Sequence, residues 1–417
     1  MWSPRWPTRS PACPSARTPE LLRATLTLLA GGALAQALPL LLGPLLTRLY
    51  TPDEFGAFHL FAAIATNLAV VACGRYEFAL PLARDDGEAT ALRRLCLRIL
   101  RLVTGLAGLG GLGWAWWSGV GWALWLGPAV AVGGALSLAT MWATRAERFS
   151  SLATARVLQY GGAALAQALA GWLHGGVVGL VIAPIAAQTL ATLLLRGPAV
   201  APVADAPRLR EIARRYQEFP LLNTPHAFLG ALQDTVSLAL IAHTLGPAAA
   251  GFWGLALRYL KAPATLVGSA VSQALYPQLA AKGPGPTRAA RAAVRRIMAV
   301  LGAAGLALVA VLWALGPWVF ERLFGPEWRT AGELARTLAP YIGAHFVAAP
   351  LAVVTMAWGA QAWALRLALW GQAAFVGALA LGLHLGGLAG AGWSVSAAMA
   401  VYFGWYFWRL AHWPVAD

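Results

Sequence analysis

Residues 43–84 read GPLLTRLYTPDEFGAFHLFAAIATNLAVVACGRYEFALPLAR, and this stretch decides the fold. An apolar run closes at Leu46-Thr47-Arg48, and a short acidic joint follows at Thr51-Pro52-Asp53-Glu54. A second apolar run opens at Phe55-Gly56 and continues to Pro81, with Arg75-Tyr76-Glu77 inside it. A helix facing lipid would not carry those charges. Ionisable groups at membrane depth are costly, so by default they face a bundle interior or a watery cavity and mark function. The rest of the chain reads as a scaffold around such a cavity.

Composition supports lipid as the solvent. Hydrophobic residues make up 59% of the 417, charged residues only 11%, and the mean hydropathy is +0.63. Soluble domains carry about 25% charged residues. A spanning helix needs about 20 residues, so the length admits roughly a dozen spans. The net charge of +15 falls between the apolar runs, as topology requires, and forms no face for nucleic acid. Cys13, Cys73 and Cys96 show neither a CxxC nor a metal spacing, so no disulfide framework, metal site or cofactor is implied.

The expected architecture is all-α: a polytopic membrane protein of about twelve transmembrane helices in two six-helix bundles around a central cavity. Residues 1–20, rich in Pro, Ser and Arg, read as a disordered cytoplasmic lead-in. The N-terminal bundle is expected over 21–196, with spans at 21–48, 56–82, 99–118, 121–143, 153–173 and 176–195. A cytoplasmic linker takes 197–218. The C-terminal bundle takes 219–410, with spans at 219–243, 248–277, 297–317, 332–357, 361–384 and 388–409, and 411–417 form a cytoplasmic tail. Two close pairs of spans turn at Gly175-Gly176 and Gly386-Gly387.

Basic residues test this count, because Lys and Arg collect on the cytoplasmic side. Of the 31 in the chain, only Arg48, Arg75, Arg258, Lys261, Arg322, Arg329 and Arg336 fall within spans or on the opposite side. Both termini are therefore expected in the cytoplasm. Trp114, Trp116, Trp117, Trp122 and Trp125, and the cluster Tyr402, Trp405, Tyr406 and Trp408, read as interfacial anchors rather than sugar-stacking platforms.

The halves echo each other. Pro52-x-x-x-Gly56 and Pro247-x-x-x-Gly251 are offset by 195, and Leu80-Pro81 and Tyr276-Pro277 by 196. Six spans per half give both copies the same orientation, a parallel repeat about an axis along the membrane normal. Helix breakers recur at Gly31-Gly32, Pro39, Gly43-Pro44, Pro220 and Pro225, as moving helices permit.

No GxSxG, Walker loop, HExxH or acid/base carboxylate pair is present. Without a nucleotide-binding motif, energy for any transport must come from an ion, potential or substrate gradient. The intramembrane charges are the signal. Arg258 and Lys261 lie three apart on one helix face, with Asp234 placed to pair with either. Arg75 and Glu77, two apart, point to nearly opposite faces, and Arg48 marks the outer end of the first span. These make a cationic lining suited to a phosphate or pyrophosphate, which Arg binds bidentately. The competing reading is structural: an Asp234 pair locking two helices, Arg48 snorkelling to headgroups, Arg75 held by a carbonyl. His226, His243 and His384 read as helix-packing residues.

At these residues the sequence resembles the polysaccharide flippases, the O-antigen and exopolysaccharide translocases of the multidrug/oligosaccharidyl-lipid/polysaccharide exporter superfamily. The resemblance rests on LLTRLYTPDEFGAFHLF, RYEFALPLARDDGEA and RAERFSSLATARVLQ in the first half. In the second it rests on RRYQEFPLLNTPHAFLGAL, GPAAAGFWGLALRYLKAPATLVGSAVSQALYPQLA and LFGPEWRTAG. It covers nearly all of the chain past residue 20, with a lead-in longer than the family's usual pattern.

The resemblance implies a non-enzymatic transporter of the bacterial inner membrane. Two bundles in a V would expose a cavity to each face in turn and carry an undecaprenyl-pyrophosphate-linked oligosaccharide to the periplasmic leaflet. Arg258, Lys261, Arg75 and Arg48 become the candidates for the substrate's anionic group, and Asp234 and Glu77 those for ion coupling or charge balance. The partners implied are the lipid-linked glycan, the membrane and transient contacts with glycosyltransferases and a polymerase, with no nucleic acid. The alternatives are a cation-coupled multidrug antiporter or lipid II flippase of the same superfamily, and a membrane-embedded polysaccharide polymerase or ligase. The sequence favours none of these: its charges are mostly basic, lipid II flippases often carry more spans, and no large outer loop bears catalytic residues.

Overall fold

The structure, a computed structural model, describes residues 18–196, 208–280 and 287–414. Most of the expected lead-in, the first part of the linker and the end of the tail lie outside the described residues. The first half is built of α1 (Thr18–Leu49), α2 (Pro52–Val71), α3 (Asp86–Ser118) and α4 (Leu126–Arg145). Next come α5 (Phe149–Val157) and α6 (Ala163–Trp172), joined through a π turn at Leu158–Gly162 into one span, and then α7 (Gly176–Leu195). The short α8 (Leu209–Arg215) leads to the second half. That half comprises α9 (Thr224–Leu245), α10 (Pro247–Ala280), α11 (Arg288–Phe324), α12 (Arg329–Ala357) and α13 (Gln361–Ala411).

Helix α13 is two spans, because Gly386 and Gly387 leave helical geometry (φ −156° and 59°). The fold is the expected all-α membrane architecture of twelve spans in two lobes. Among the described residues, nine helices are long and apolar enough to cross a membrane by length and composition, and α13 supplies two spans within one of them.

Two spans begin earlier than their apolar runs. Asp85 caps α3 by accepting from the Glu88 N–H, and Thr287 caps α11 by accepting from that of Ala290. Each cap starts the helix on the Arg-rich side, ahead of the apolar window. The second span departs further from expectation. Helix α2 stops at Val71, Gly74 and Arg75 take left-handed backbone (φ 61° and 60°), and a 3-10 turn runs over Tyr76–Leu82. A helix continued to Pro81 would leave the Glu77 carbonyl without its donor. Arg75 and Glu77 therefore flank a break and do not share one continuous helix.

The lobes meet where the repeat was read. The α2–α10 crossing puts Gly56 on the Pro247 carbonyl and Gly251 on the Pro52 carbonyl, reciprocal contacts that a Cβ at either glycine would overrun. Thr51 and Glu54 form a capping box on α2. From the same joint, Asp53 reaches across the lobes to accept from the Ala248 N–H (3.1 Å). The carboxylate thus sits at the positive end of α10. Trp328, fully buried, donates its indole N–H to the Thr47 carbonyl (3.1 Å) and sets its ring edge-on to Phe55. That carbonyl lies in the last turn of α1, where helical partners run out.

At the opposite, Arg-rich end, α8 is clamped to the first lobe. Ile212 is fully buried, Tyr76 donates to the Ala213 carbonyl (3.1 Å), and Arg215 pairs with buried Glu88 at 2.6 Å. That hydrogen bond raises the Arg215 guanidinium above its ordinary value.

Replacing Gly56 or Gly251 with Ala is expected to cost about 1–3 kcal/mol by overpacking. The double variant should cost less than the sum, because the two sites share one contact. Thermal unfolding in detergent reads this, and an unchanged midpoint in both single variants would refute the close approach. Arg215→Ala, which leaves the Glu88 carboxylate buried without its cation, is expected to free α8. Limited proteolysis at the linker should then be faster, and Glu88→Gln in the same chain should partly restore resistance.

Candidate functional site

Between the lobes lies a cavity of about 430 Å³, within the range of small-molecule sites. It starts two residues beyond the Gly56–Gly251 crossing and is walled by α2, α9 and α10. Its walls follow the repeat. At the 195-residue offset, Phe58 matches Trp253, His59 matches Gly254, Ala62 matches Leu257, Ala63 matches Arg258 and Thr66 matches Lys261, and all ten line the cavity. The two copies thus present the same helical face, and only the second carries cations. A polar bridge closes one side, with Asn67 Nδ2 donating to Thr235 Oγ1 (3.4 Å) and Thr235 Oγ1 to the Ala63 carbonyl (3.2 Å).

Arg258 is held by a proline-bearing stretch of α1. Its Nη2 donates to the Pro39 carbonyl at 3.4 Å. Next to it, the Tyr259 hydroxyl donates to the Leu40 carbonyl at 2.7 Å. Pro44 has no N–H, so the Leu40 carbonyl lacks its helical donor, and Tyr259 supplies one from the other lobe. Only glycine fits at residue 43, since a Cβ there would fall on the Tyr259 hydroxyl. The guanidinium keeps most of its five donors free of this single long bond.

Lys261 faces Asp234 on α9, with Nζ and Oδ1 3.9 Å apart, an ion pair too long to be a hydrogen bond. Asp234 is the more open partner, 63% exposed against 28% for the lysine side chain. The hydroxyl of buried Tyr341, on α12, stands beside the ammonium.

The structure therefore brings Arg258, Lys261 and Asp234 to one cavity and sets the other sequence candidates elsewhere. Arg48 is exposed in the last turn of α1. It lies nine residues past Pro39, roughly 13 Å along a helix. Arg75 lies over the Phe78 ring (4.3 Å), and its Nε has no hydrogen-bond partner. Glu77, 1% exposed, accepts from Ser137 through Oε1 (3.3 Å) while Oε2 has no partner. His243 and His384 are exposed and do not pack between helices, while the side chain of His226 lies outside the described residues.

Sequence reasoning missed His59. Its ring lies in the cavity wall beside Arg258, packed against Gly254, with Nε2 lacking a partner. The repeat held the signal, because His59 sits three residues after Gly56 as Gly254 does after Gly251.

A family model described as "Polysaccharide biosynthesis protein" matches residues 123–333, just over half of the chain. The chain belongs to the polysaccharide biosynthesis protein family. No curated protein matches it. Among solved structures, the inward-facing conformation of a multidrug resistance MATE-family transporter of the MOP superfamily aligns with a TM-score of 0.71. That match has 16% identity, over 90% of this chain and 93% of the other. The lipid II flippase MurJ, in its inward closed conformation, aligns at 0.68 with 9% identity, over 94% and 90%. An Asp-to-Asn variant of the Vibrio cholerae MATE transporter VcmN aligns at 0.55 with 16% identity, over 94% and 95%. At these identities the likeness is one of fold, and it places this family member on the two-lobed transporter scaffold.

Tyr259→Phe removes a hydroxyl from a carbonyl that has no other donor, and is expected to cost about 1–3 kcal/mol of stability. Gly43→Ala, which forces the ring away, should cost at least as much. Both are read as lowered unfolding midpoints, and an unchanged midpoint in Gly43→Ala would contradict the contact.

Proposed function

We propose that the protein is a flippase for an anionic, lipid-linked oligosaccharide in the bacterial inner membrane, with both termini in the cytoplasm. Undecaprenyl-pyrophosphate repeat units for O-antigen or exopolysaccharide would pass by alternating access from the cytoplasmic to the periplasmic leaflet. One observation carries this reading: among the described residues, the only cations that line the cavity between the two lobes are Arg258 and Lys261, side by side on one face. Ionisable groups kept at that depth need a task that offsets their cost.

Each residue has a role in this reading. Arg258, anchored by one bond to the Pro39 carbonyl, offers its remaining donors to a phosphate in fork geometry. Lys261 adds a mobile point charge. Asp234 balances it when no ligand is bound and yields when a diphosphate arrives, since a pair 3.9 Å apart loses little by opening. His59, facing Arg258 from the first lobe, is placed to touch the same ligand and report its arrival to α2. Arg75 and Arg48 act as outlying cations on the path to and from the site, and buried Glu77 takes up the coupling ion or balances charge in the first lobe. Glycosyltransferases and a repeat-unit polymerase would be transient partners.

Inverted vesicles containing labelled polyprenyl-pyrophosphate oligosaccharide test the proposal. Wild type should render the glycan inaccessible to an external glycosidase, and Arg258→Ala/Lys261→Ala at equal protein level should reduce the rate by about 100-fold, the loss of two charge-assisted contacts. Protection that survives the double change would remove this site from the reading. No protection by wild type across several glycans, together with proton- or sodium-driven efflux of cationic drugs, would turn the assignment to an antiporter.

A further inference from the structure

The interfacial cluster near the end of α13 does not behave as one belt. Trp405 and Trp408 are about half exposed, while Tyr406 is 7% exposed and packs inward, face to face with Trp363 (17° between planes). With Tyr402 and Phe403, these inward rings wall a second cavity of about 230 Å³ between α12 and α13. Alanines of α12 form the opposite wall: Ala348 is buried, and Ala352 is exposed where the cleft opens at the surface of the lobe.

This cleft adjoins the cation site. It begins at His345, one helical turn along α12 from Tyr341, whose hydroxyl stands beside Lys261. The Tyr341 and His345 rings are 5.8 Å apart and separate the two spaces. The apolar cleft thus runs along α12 from the turn at which Tyr341 meets Lys261 of α10.

The walls identify the class of occupant. The Tyr402 hydroxyl donates to the Leu367 carbonyl (3.2 Å) and that of Thr355 to the Ala352 carbonyl (2.8 Å). Those two lining hydroxyl groups are committed to backbone, which leaves His345, Trp363 and Tyr406 as the polar side chains of a lining otherwise made of Ala, Leu and Phe. The volume is below the range that encloses a drug-sized ligand, so it suits a segment of something longer. The open side at Ala352 lets the remainder leave.

We infer that the cleft seats a segment of the hydrocarbon chain of the anionic amphiphile whose head is held at Arg258 and Lys261. This rests on the flippase reading for the head group and adds a separate site for the chain.

The test uses the full chain in lipid nanodiscs with three probes: inorganic pyrophosphate, farnesyl diphosphate, and farnesyl diphosphate with a diazirine on its last isoprene unit. Farnesyl diphosphate should bind wild type at least about tenfold tighter than pyrophosphate, the burial of roughly two methylene groups. Ala352→Trp, which fills the cleft, should abolish that gain and leave pyrophosphate binding unchanged. The diazirine should label α12 between His345 and Thr355 or the facing turns of α13 in wild type, a readout independent of how the variant folds.

Labelling confined to lipid-facing residues, or a gain that survives Ala352→Trp, would overturn the inference while leaving the head-group site intact. Cleft labelling undiminished in Arg258→Ala/Lys261→Ala would also overturn it, marking a site for bilayer acyl chains in general. Competition by a soluble oligosaccharide but not by farnesol would assign the cleft to sugar instead. Pyrophosphate binding that ignores the double change would fail the flippase reading itself, a result separate from all of these.

Discussion

Everything in this molecule hangs on one crossing, where Gly56 and Gly251 let two helices from different lobes touch backbone to backbone. In lipid there is little hydrophobic drive between helices, so small residues that allow close packing hold spans together. Because the contact is reciprocal, with each glycine on the proline carbonyl that opens the other helix, it also fixes the axis of the repeat. The cavity then follows as geometry: two helices that meet at one point diverge beyond it, and the space starts two residues further on.

The frame is symmetric and its chemistry is not. Equivalent positions hold Ala63 and Thr66 in one lobe, Arg258 and Lys261 in the other. A symmetric pair of cation sites would hold an anion between the lobes and resist their separation. In the proposed reading, placing both cations on α10 would let the ligand belong to one lobe while the other moves past it. The anchoring of Arg258 and Tyr259 to consecutive carbonyls of α1 extends this, tying the proline-bearing part of the first helix to the residues that would meet the proposed ligand.

How much was legible in the sequence depended on which force set each feature. The bilayer imposes span length, and the twelve spans were readable from it. The Pro-x-x-x-Gly repeat was readable because only those residue types permit the crossing. The break after Val71 was hidden, since a left-handed Arg75 is a conformation that its side chain does not advertise. The early starts of α3 and α11 were encoded by Asp85 and Thr287, outside any apolar window. Tyr402 and Tyr406 lie four apart and share a helix face, while Trp405 and Trp408 share another, a periodicity that reading the cluster as one belt discarded. Of the site, the Arg258, Lys261 and Asp234 group followed from charge in apolar runs. His59 did not, as a lone histidine shows no partner along the chain.

The contacts that hold the lobes together beyond the glycine crossing have a thermodynamic meaning. They are single hydrogen bonds: a carboxylate on the Ala248 N–H, an indole on the Thr47 carbonyl, Arg258 and Tyr259 on the Pro39 and Leu40 carbonyls, and the bridge from Asn67 through Thr235 to Ala63, with ring edges around Phe55. Single hydrogen bonds are worth about 1 kcal/mol each net, and reversing a two-state population from 1:99 to 99:1 takes about 5.5 kcal/mol. In the flippase reading proposed above, contacts of this size are matched in scale to what one bound anion could shift. In that reading the protein would sit near balance between two arrangements, and the leaflet that supplies the ligand would set its resting state.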